Sequence, residues 1–344
     1  MPTMTMTKRP HILIVAPAWV GDAVLSQPLL RRLQARNPDT LIDVLAPPWT
    51  RAVYERMPEV DAVHDLPFAH GELALRKRYA LGRSLTPRGY TQAVVLPNSL
   101  KSALVPFFAR IPRRTGYVGE MRRGLLNDTR TLDKVALPLM IERFAALAED
   151  AGPVKIRPLS EVSLRIDAIA RSTTLLKLGL KATPKIAVLC PGAEYGPAKR
   201  WPVEYFGALA QRFDADGWQV WIAGSTKDAA VGADIVAAAG GIGINLCGKT
   251  TLAEAIDLMS CASHVVSNDS GLMHVAAALE RPLTAIYGSS SPAFTPPPSA
   301  QARIVKIDLA CSPCFKRVCP LGHFKCMREL GVDAVWQAIS AAAA

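Results

Sequence analysis

Twice along this 344-residue chain, short β-branched runs alternate with stretches of helical periodicity. Such alternation restricts the fold to parallel sheets covered by helices on both faces. In the first half the strand-like runs fall at residues 12–16, 42–46, 62–66 and 93–96, with helical patterns at 23–36, 50–56 and 99–109. In the second half the runs fall at 186–190, 219–223, 264–267 and 283–287, with helical patterns at 202–214, 227–239, 252–259 and 271–279. The punctuation of Gly152-Pro153, Arg157-Pro158 and Pro184 places a boundary between residues 150 and 184. The expected fold class is α/β, with two doubly wound domains, 1–165 and 166–344. Two such domains would face each other across a cleft lined by the carboxyl ends of both sheets.

Composition removes several function classes. Half of the residues are hydrophobic, yet no uninterrupted apolar stretch approaches the ~20 residues of a membrane span. Residues 1–10 are too short and polar for a signal peptide, which points to the cytoplasm. The terminal alanine run, 341–344, is compatible with helix. Seven cysteines, an odd count, give no tidy disulfide framework. Residues 1–165 hold 24 Lys and Arg against 15 Asp and Glu, a net of +9, whereas residues 166–344 hold 16 against 14, a net of +2. The first half should therefore attract nucleic acid, an anionic membrane surface or a phosphorylated substrate. Only 6% of residues are aromatic and no helix-turn-helix, RRM or zinc-finger signature is present, which weakens the nucleic-acid reading. The first strand-to-helix loop, Pro17 to Asp22, is not a dinucleotide fingerprint, and there is no Walker A sequence.

The loops carry the candidate chemistry. Asn268-Asp269-Ser270-Gly271-Leu272-Met273-His274 sits between a strand-like run and a small-residue helix start. Free N–H groups and the helix dipole make such a place an anion site, with the Ser270 hydroxyl and the close approach at Gly271 adding to it. Asp269 suits sugar hydroxyls, and His274 lies one turn further on. Phosphate plus sugar points to a sugar nucleotide, although an ordinary capped helix would read the same way. Pro191 to Pro202 holds Gly192, Glu194 and Gly196 ahead of Lys199-Arg200, where Lys199 can place a compact charge on a diphosphate and Arg200 offers bidentate donors. Asp22, at the end of the first loop, is either a dipole-stabilised helix acid or a general base. Two basic groups, Asn98 to Lys101 and Arg110 to Arg123, could contact an anion, with Arg122 and Arg123 expected to serve the acceptor more than the donor. Cys311, Cys314, Cys319 and Cys326, with His323 nearby, have zinc-compatible residue types but lack the tight second pair of a ribbon. Reduced, half-buried thiols are the favoured reading, and no metal site is expected.

These stretches, together with Trp19-Val-Gly-Asp22 and Asn98-Ser-Leu-Lys-Ser102, resemble the ADP-heptose:lipopolysaccharide heptosyltransferases of glycosyltransferase family 9, the type II enzymes in particular. They follow the family's order from Trp19 to about Cys326. The resemblance implies a GT-B fold of two Rossmann-like domains, the first binding acceptor and the second ADP-heptose. It implies inverting transfer of L-glycero-D-manno-heptose to the first inner-core heptose of lipopolysaccharide. It further implies Asp22 as base, Lys199 beside the diphosphate, and Asp269, Ser270, Gly271 and His274 on the donor. A lipid-linked acceptor would place the enzyme peripherally on the cytoplasmic face of the inner membrane. No dense Asp/Glu metal motif appears, so no cofactor and no essential divalent cation are expected. A type I enzyme, or a transferase with another acceptor, is the nearest rival reading, and a basic nucleic-acid-binding protein is the non-enzyme rival.

Overall fold

The computed structural model describes residues 9–69, 71–152 and 156–343; residues 1–8, Pro153 and Ala344, on which sequence readings also fell, lie outside the described residues. The chain forms two compact units, residues 1–160 and 161–344.

The first unit is built on a six-stranded, all-parallel sheet. Its strands are β1 (His11–Val15), β2 (Leu41–Ala46), β3 (Ala62–Asp65), β4 (Gln92–Val95), β5 (Arg113–Tyr117) and β6 (Asp128–Arg130), in the order β3-β2-β1-β4-β5-β6. Four of these coincide with the β-branched runs. β5 and β6 do not: Arg113-Arg114 and Asp128 break the apolar pattern, and the segment expected to be a basic loop contains a strand. The interior strands β1 and β4 are almost wholly buried, as continuous apolar runs in parallel sheets require. The expected helix at 23–36 is two helices, Val20–Leu25 and Gln27–Arg36, joined at Ser26; Pro28 occupies the first turn of the second, where its missing N–H costs nothing.

The second unit repeats the plan. Its strands are β7 (Ile186–Cys190), β8 (Gln219–Ile222), β9 (Ile244–Asn245), β10 (His264–Asn268), β11 (Leu283–Ile286) and β12 (Ala302–Val305), in the order β12-β11-β10-β7-β8-β9. Phe206, Leu209, Ala210 and Phe213 of the helix Val203–Ala215 pack with Leu189, Ile222 and Val335 in one core cluster. The terminal helix Val332–Ala343 closes that core.

In both sheets the chain reverses direction of progress once, at β1/β4 and at β7/β10. Loops leaving the two strands at such a point diverge and open a crevice at the strands' carboxyl ends. The segments following β1, β4, β7 and β10 carry Asp22, Asn98 and Lys101, Lys199 and Arg200, and Asp269 to His274.

Candidate functional site

At the β7/β10 crevice the loop from Pro191 to Trp201 is held at both ends by one side chain. Asn268, the last residue of β10, donates from Nδ2 to the Pro191 carbonyl at 2.7 Å and accepts the Trp201 N–H at 3.2 Å. The middle of the loop is clamped to the cysteine-bearing segment. The Tyr195 hydroxyl donates to the Phe315 carbonyl at 2.7 Å, and the Ala198 N–H to the Arg317 carbonyl at 3.0 Å. A Cβ at Gly192 would lie 2.7 Å from the Asp228 carboxylate, so this glycine is required by packing.

That scaffold presents Lys199. Its Nζ lies 2.5 Å from Asp269 Oδ2 and 5.2 Å from the Tyr195 ring centroid. Lys199 is 17% exposed and Asp269 5%, so the pair is largely shielded from water yet open on the lysine side. Ser270 occupies the cap position of the helix Gly271–Ala278 but makes no side-chain cap bond; its Oγ lies 3.2 Å from Ser267 Oγ. The helix start is therefore left without a side-chain cap close to an ammonium group, a combination suited to a diphosphate.

Burial makes the rest of this crevice unusual. His274 is buried and its Nδ1 has no hydrogen-bond partner among the described residues; burial lowers its pKa to about 4, so the ring is neutral at pH 7. Arg200 Nε, Ser289 Oγ and Ser290 Oγ are likewise buried without partners. Four of these orphaned polar atoms thus sit on the loops and helix that follow β7, β10 and β11. Buried polar groups are otherwise almost always paired, so these atoms keep hydrogen-bonding capacity that a polar ligand could use. Ser289 and Ser290 carried no readable signal in the sequence, since a serine run after a strand looks like any loop. Glu194, read as a donor contact, is exposed and paired with Lys227.

At the β1/β4 crevice the first unit has a cavity of about 740 Å³. Asp22 lines it from the first turn of the helix Val20–Leu25, and Asn98 and Lys101 line it from the loop after β4. Trp49 donates from Nε1 to the Ala18 carbonyl at 2.7 Å and pins the loop that carries Asp22.

Arg122 corrects the sequence reading. It is 1% exposed and does not line the cavity. Its guanidinium donates to the Tyr117 and Pro97 carbonyls, to Asn98 Oδ1 at 3.1 Å and to Ser102 Oγ at 3.2 Å. It holds the loop after β4 from within, shielded from solvent, and burial lowers its pKa to about 10. Arg123 points into solvent and also lies off the cavity. Arg78, unremarked in the sequence, lines the cavity but is likewise held by the carbonyls of Glu72, Leu73 and Lys101.

The four cysteines of the 311–326 segment are half-buried thiols. Among the described residues no group of three or more His, Cys, Asp or Glu is placed to hold a metal ion. The segment instead braces the crevice: Ser312 Oγ donates to the Gly288 carbonyl at 2.6 Å and the Phe315 N–H to the Ser289 carbonyl at 2.7 Å.

A sequence profile described as Glycosyltransferase family 9 (heptosyltransferase) matches residues 78–325. Lipopolysaccharide heptosyltransferase 2 of Escherichia coli K12 is 49% identical over 305 residues, 86% of this chain and 88% of that protein. The Salmonella typhimurium protein of the same name is 48% identical over the same shares. The solved structure of E. coli ADP-heptose LPS heptosyltransferase II matches with a TM-score of 0.87 at 43% identity, over 96% of this chain and 98% of that one. The chain belongs to glycosyltransferase family 9.

Proposed function

We propose that this family 9 glycosyltransferase transfers a heptosyl group from ADP-heptose to the first inner-core heptose of lipopolysaccharide, with inversion at the anomeric carbon. The observation that carries the reading is the Lys199–Asp269 pair at the β7/β10 crevice, beside an uncapped helix start and a set of unpartnered buried polar atoms. The names of the close relatives supply the sugar and the acceptor.

In this reading the second unit binds ADP-heptose. Lys199, Arg200 and the N–H groups at Ser270 and Gly271 hold the diphosphate, and Asp269 accepts from sugar hydroxyls while it orients the lysine. The first unit binds the acceptor, with Asn98 and Lys101 at the cavity wall. Asp22 accepts the proton of the attacking acceptor hydroxyl as its oxygen bonds to the anomeric carbon. The bond to the ADP oxygen breaks on the opposite side, and Lys199 stabilises the charge that develops there. Lys199 and the helix N-terminus neutralise the diphosphate, so turnover in the presence of a chelator is expected to persist; strict dependence on added divalent cation would overturn that part. Among the described residues no helix is long and apolar enough to cross a membrane. We place the enzyme peripherally on the cytoplasmic face of the inner membrane, where a lipid-linked acceptor would meet it.

The test is ADP release from ADP-heptose with heptosyl-Kdo2-lipid A, set against Kdo2-lipid A as acceptor. Turnover with the first alone supports the reading. Turnover with the second alone assigns the chain to the type I reaction, and no ADP release with either removes the donor assignment.

A further inference from the structure

We propose that the helix pair Leu75–Leu85 and Leu104–Phe108 of the first unit is a docking surface for an anionic lipid bilayer. The inference deepens the reading of a lipid-linked acceptor and rests on it. Residues 73–119 contain nine Lys and Arg and not one Asp or Glu. Some of these cations are engaged within the fold: Arg78 is buried, and Arg113 pairs with Asp128 and Asp150. Arg76, Arg83 and Arg110 are exposed, and none forms an ion pair among the described residues. Arg76, Tyr79 and Arg83 stand three and four residues apart, so they share one stripe of the helix Leu75–Leu85.

Apolar groups are exposed among these charges. Leu75 is 50% exposed, Tyr79 53% and Phe107 40%. The rings of Tyr79 and Phe107 each meet Phe108, at 5.2 and 5.6 Å between centroids, which makes one aromatic cluster with its two outer rings in solvent. The platform is rigid because the helices approach closely. A Cβ on Gly82 would stand 2.6 Å from Phe108 Cβ and 2.7 Å from the Val105 carbonyl oxygen.

Clustered exposed leucine and aromatic side chains mark an interaction surface. Their mixture with unpaired arginines selects the partner. A bilayer interface takes aromatic rings at headgroup depth and leucine just below it, while anionic headgroups attract the arginines. A nucleic acid would use the charges but leave the apolar groups in water. The surface also adjoins the cavity, since Leu73 and Lys101, which flank the two helices, and Arg78 within the first of them line that cavity. A bilayer seated here would present a sugar just above its headgroups to the cavity that holds Asp22.

The test is cosedimentation of the full chain with vesicles of phosphatidylglycerol and phosphatidylethanolamine, set against phosphatidylcholine alone. Binding is expected only with the anionic vesicles and is expected to weaken with salt. Removing one exposed arginine charge should weaken binding about fivefold, so the triple variant Arg76→Gln, Arg83→Gln, Arg110→Gln should lose roughly a hundredfold. The double variant Leu75→Ser, Tyr79→Ser should weaken it even at low salt. Both variants should keep wild-type turnover on a detergent-dispersed acceptor and lose it on a vesicle-embedded one. Unchanged vesicle binding by either variant overturns the proposal. So does a sedimentation-velocity dimer that Leu75→Ser, Tyr79→Ser dissociates, or duplex DNA binding that only the arginine variant abolishes. If wild type turns over neither acceptor, the functional reading fails, while the vesicle result still decides the surface.

Discussion

The two units share one topology and differ in what their loops bring to the crevice. Read from opposite edges, β3-β2-β1-β4-β5-β6 and β9-β8-β7-β10-β11-β12 are the same arrangement. In the first unit the crevice is roomy and presents a carboxylate, Asp22, while its arginines Arg78 and Arg122 are turned inward onto backbone carbonyls. In the second it presents an ammonium group and leaves polar atoms unpaired. The same scaffold thus presents a carboxylate in one unit and an ammonium group in the other. The excess basic charge of the first half, which looked like a ligand surface, is in part internal framework. Fold sets where loops open; the residues on them decide the chemistry.

The largest effects should come from removing the two opposed charges. Asp22→Asn should lower kcat by about 10² to 10⁴, the range of a lost general base, with ADP-heptose affinity and melting temperature unchanged. Lys199→Ala should lower kcat by roughly 10² to 10³ and weaken donor binding as well. Removing the lysine also strands the buried Asp269 carboxylate, so Lys199→Met combined with Asp269→Asn separates lost chemistry from lost stability. Isothermal titration with ADP-heptose and steady-state kinetics on the same samples decide it. Equal loss of donor affinity in Asp22→Asn and Lys199→Ala would break the division of labour between the units.

Much of this was legible in the sequence because the interior strands of a parallel sheet must be continuous apolar runs. β1, β2, β4, β7, β10 and β11 announce themselves for that reason, and the loops between them then locate Asp22, Asn98, Lys199 and Asp269. β5 and the edge strands β6 and β12 do not, because charged residues interrupt each of these short runs. Arg122 was misread for a related reason. An arginine in a loop normally faces water, and only the tertiary fold shows that backbone and side-chain acceptors of Tyr117, Pro97, Ser102 and Asn98 converge on this one. The unpaired hydroxyls of Ser289 and Ser290 are invisible without neighbours, since their message lies in what fails to surround them.

Acid should separate the units next. Burial holds both His264 and His274 of the second unit at a pKa of about 4, below the ordinary value near 6.5. A neutral form favoured by the fold means stability is intact above pH 6.5 and falls as pH drops toward 4. At about 1.4 kcal/mol per unit, each ring contributes a loss of about 3 kcal/mol by pH 4. In the first unit the buried Asp43 works in another window. Despite the opposing effect of burial, hydrogen bonds from His64, Tyr90 and His11 bring its pKa down to about 2. Its contribution is present above about pH 4 and is lost only as pH falls toward 2. In a Trp19→Phe, Trp49→Phe background all remaining tryptophans belong to the second unit. Urea unfolding followed by their fluorescence should shift to lower urea between pH 7 and 4.5, and His274→Gln should recover part of that shift. A midpoint that stays fixed would mean the histidines are solvated after all.

Within the first unit, Arg122 and Arg123 offer a sharper comparison than the units themselves. Arg122→Met should cost about 2–4 kcal/mol, because buried carbonyl and side-chain acceptors lose their donor together. Arg123→Glu, on the surface, should stay within about 0.5 kcal/mol. Urea midpoints measure both. Retained stability in Arg122→Met alongside a raised acceptor KM would restore the arginine to the acceptor site.

The smallest expected effect tests the edge of the donor site. Glu194 is exposed and paired with Lys227, an arrangement worth less than about 1 kcal/mol at the surface. Glu194→Gln should therefore leave stability almost unchanged, and any effect on the donor must come from contact with the ligand itself. If Glu194 accepts from a sugar or ribose hydroxyl once ADP-heptose is bound, the neutral amide should raise the donor KM severalfold at unchanged kcat, since that contact would hold ground state and transition state alike. Lys227→Gln frees the glutamate without removing it and should leave the KM at or below the wild-type value. If both variants match wild type, the donor site ends at the Lys199–Asp269 pair, and the loop before it serves only to aim the lysine.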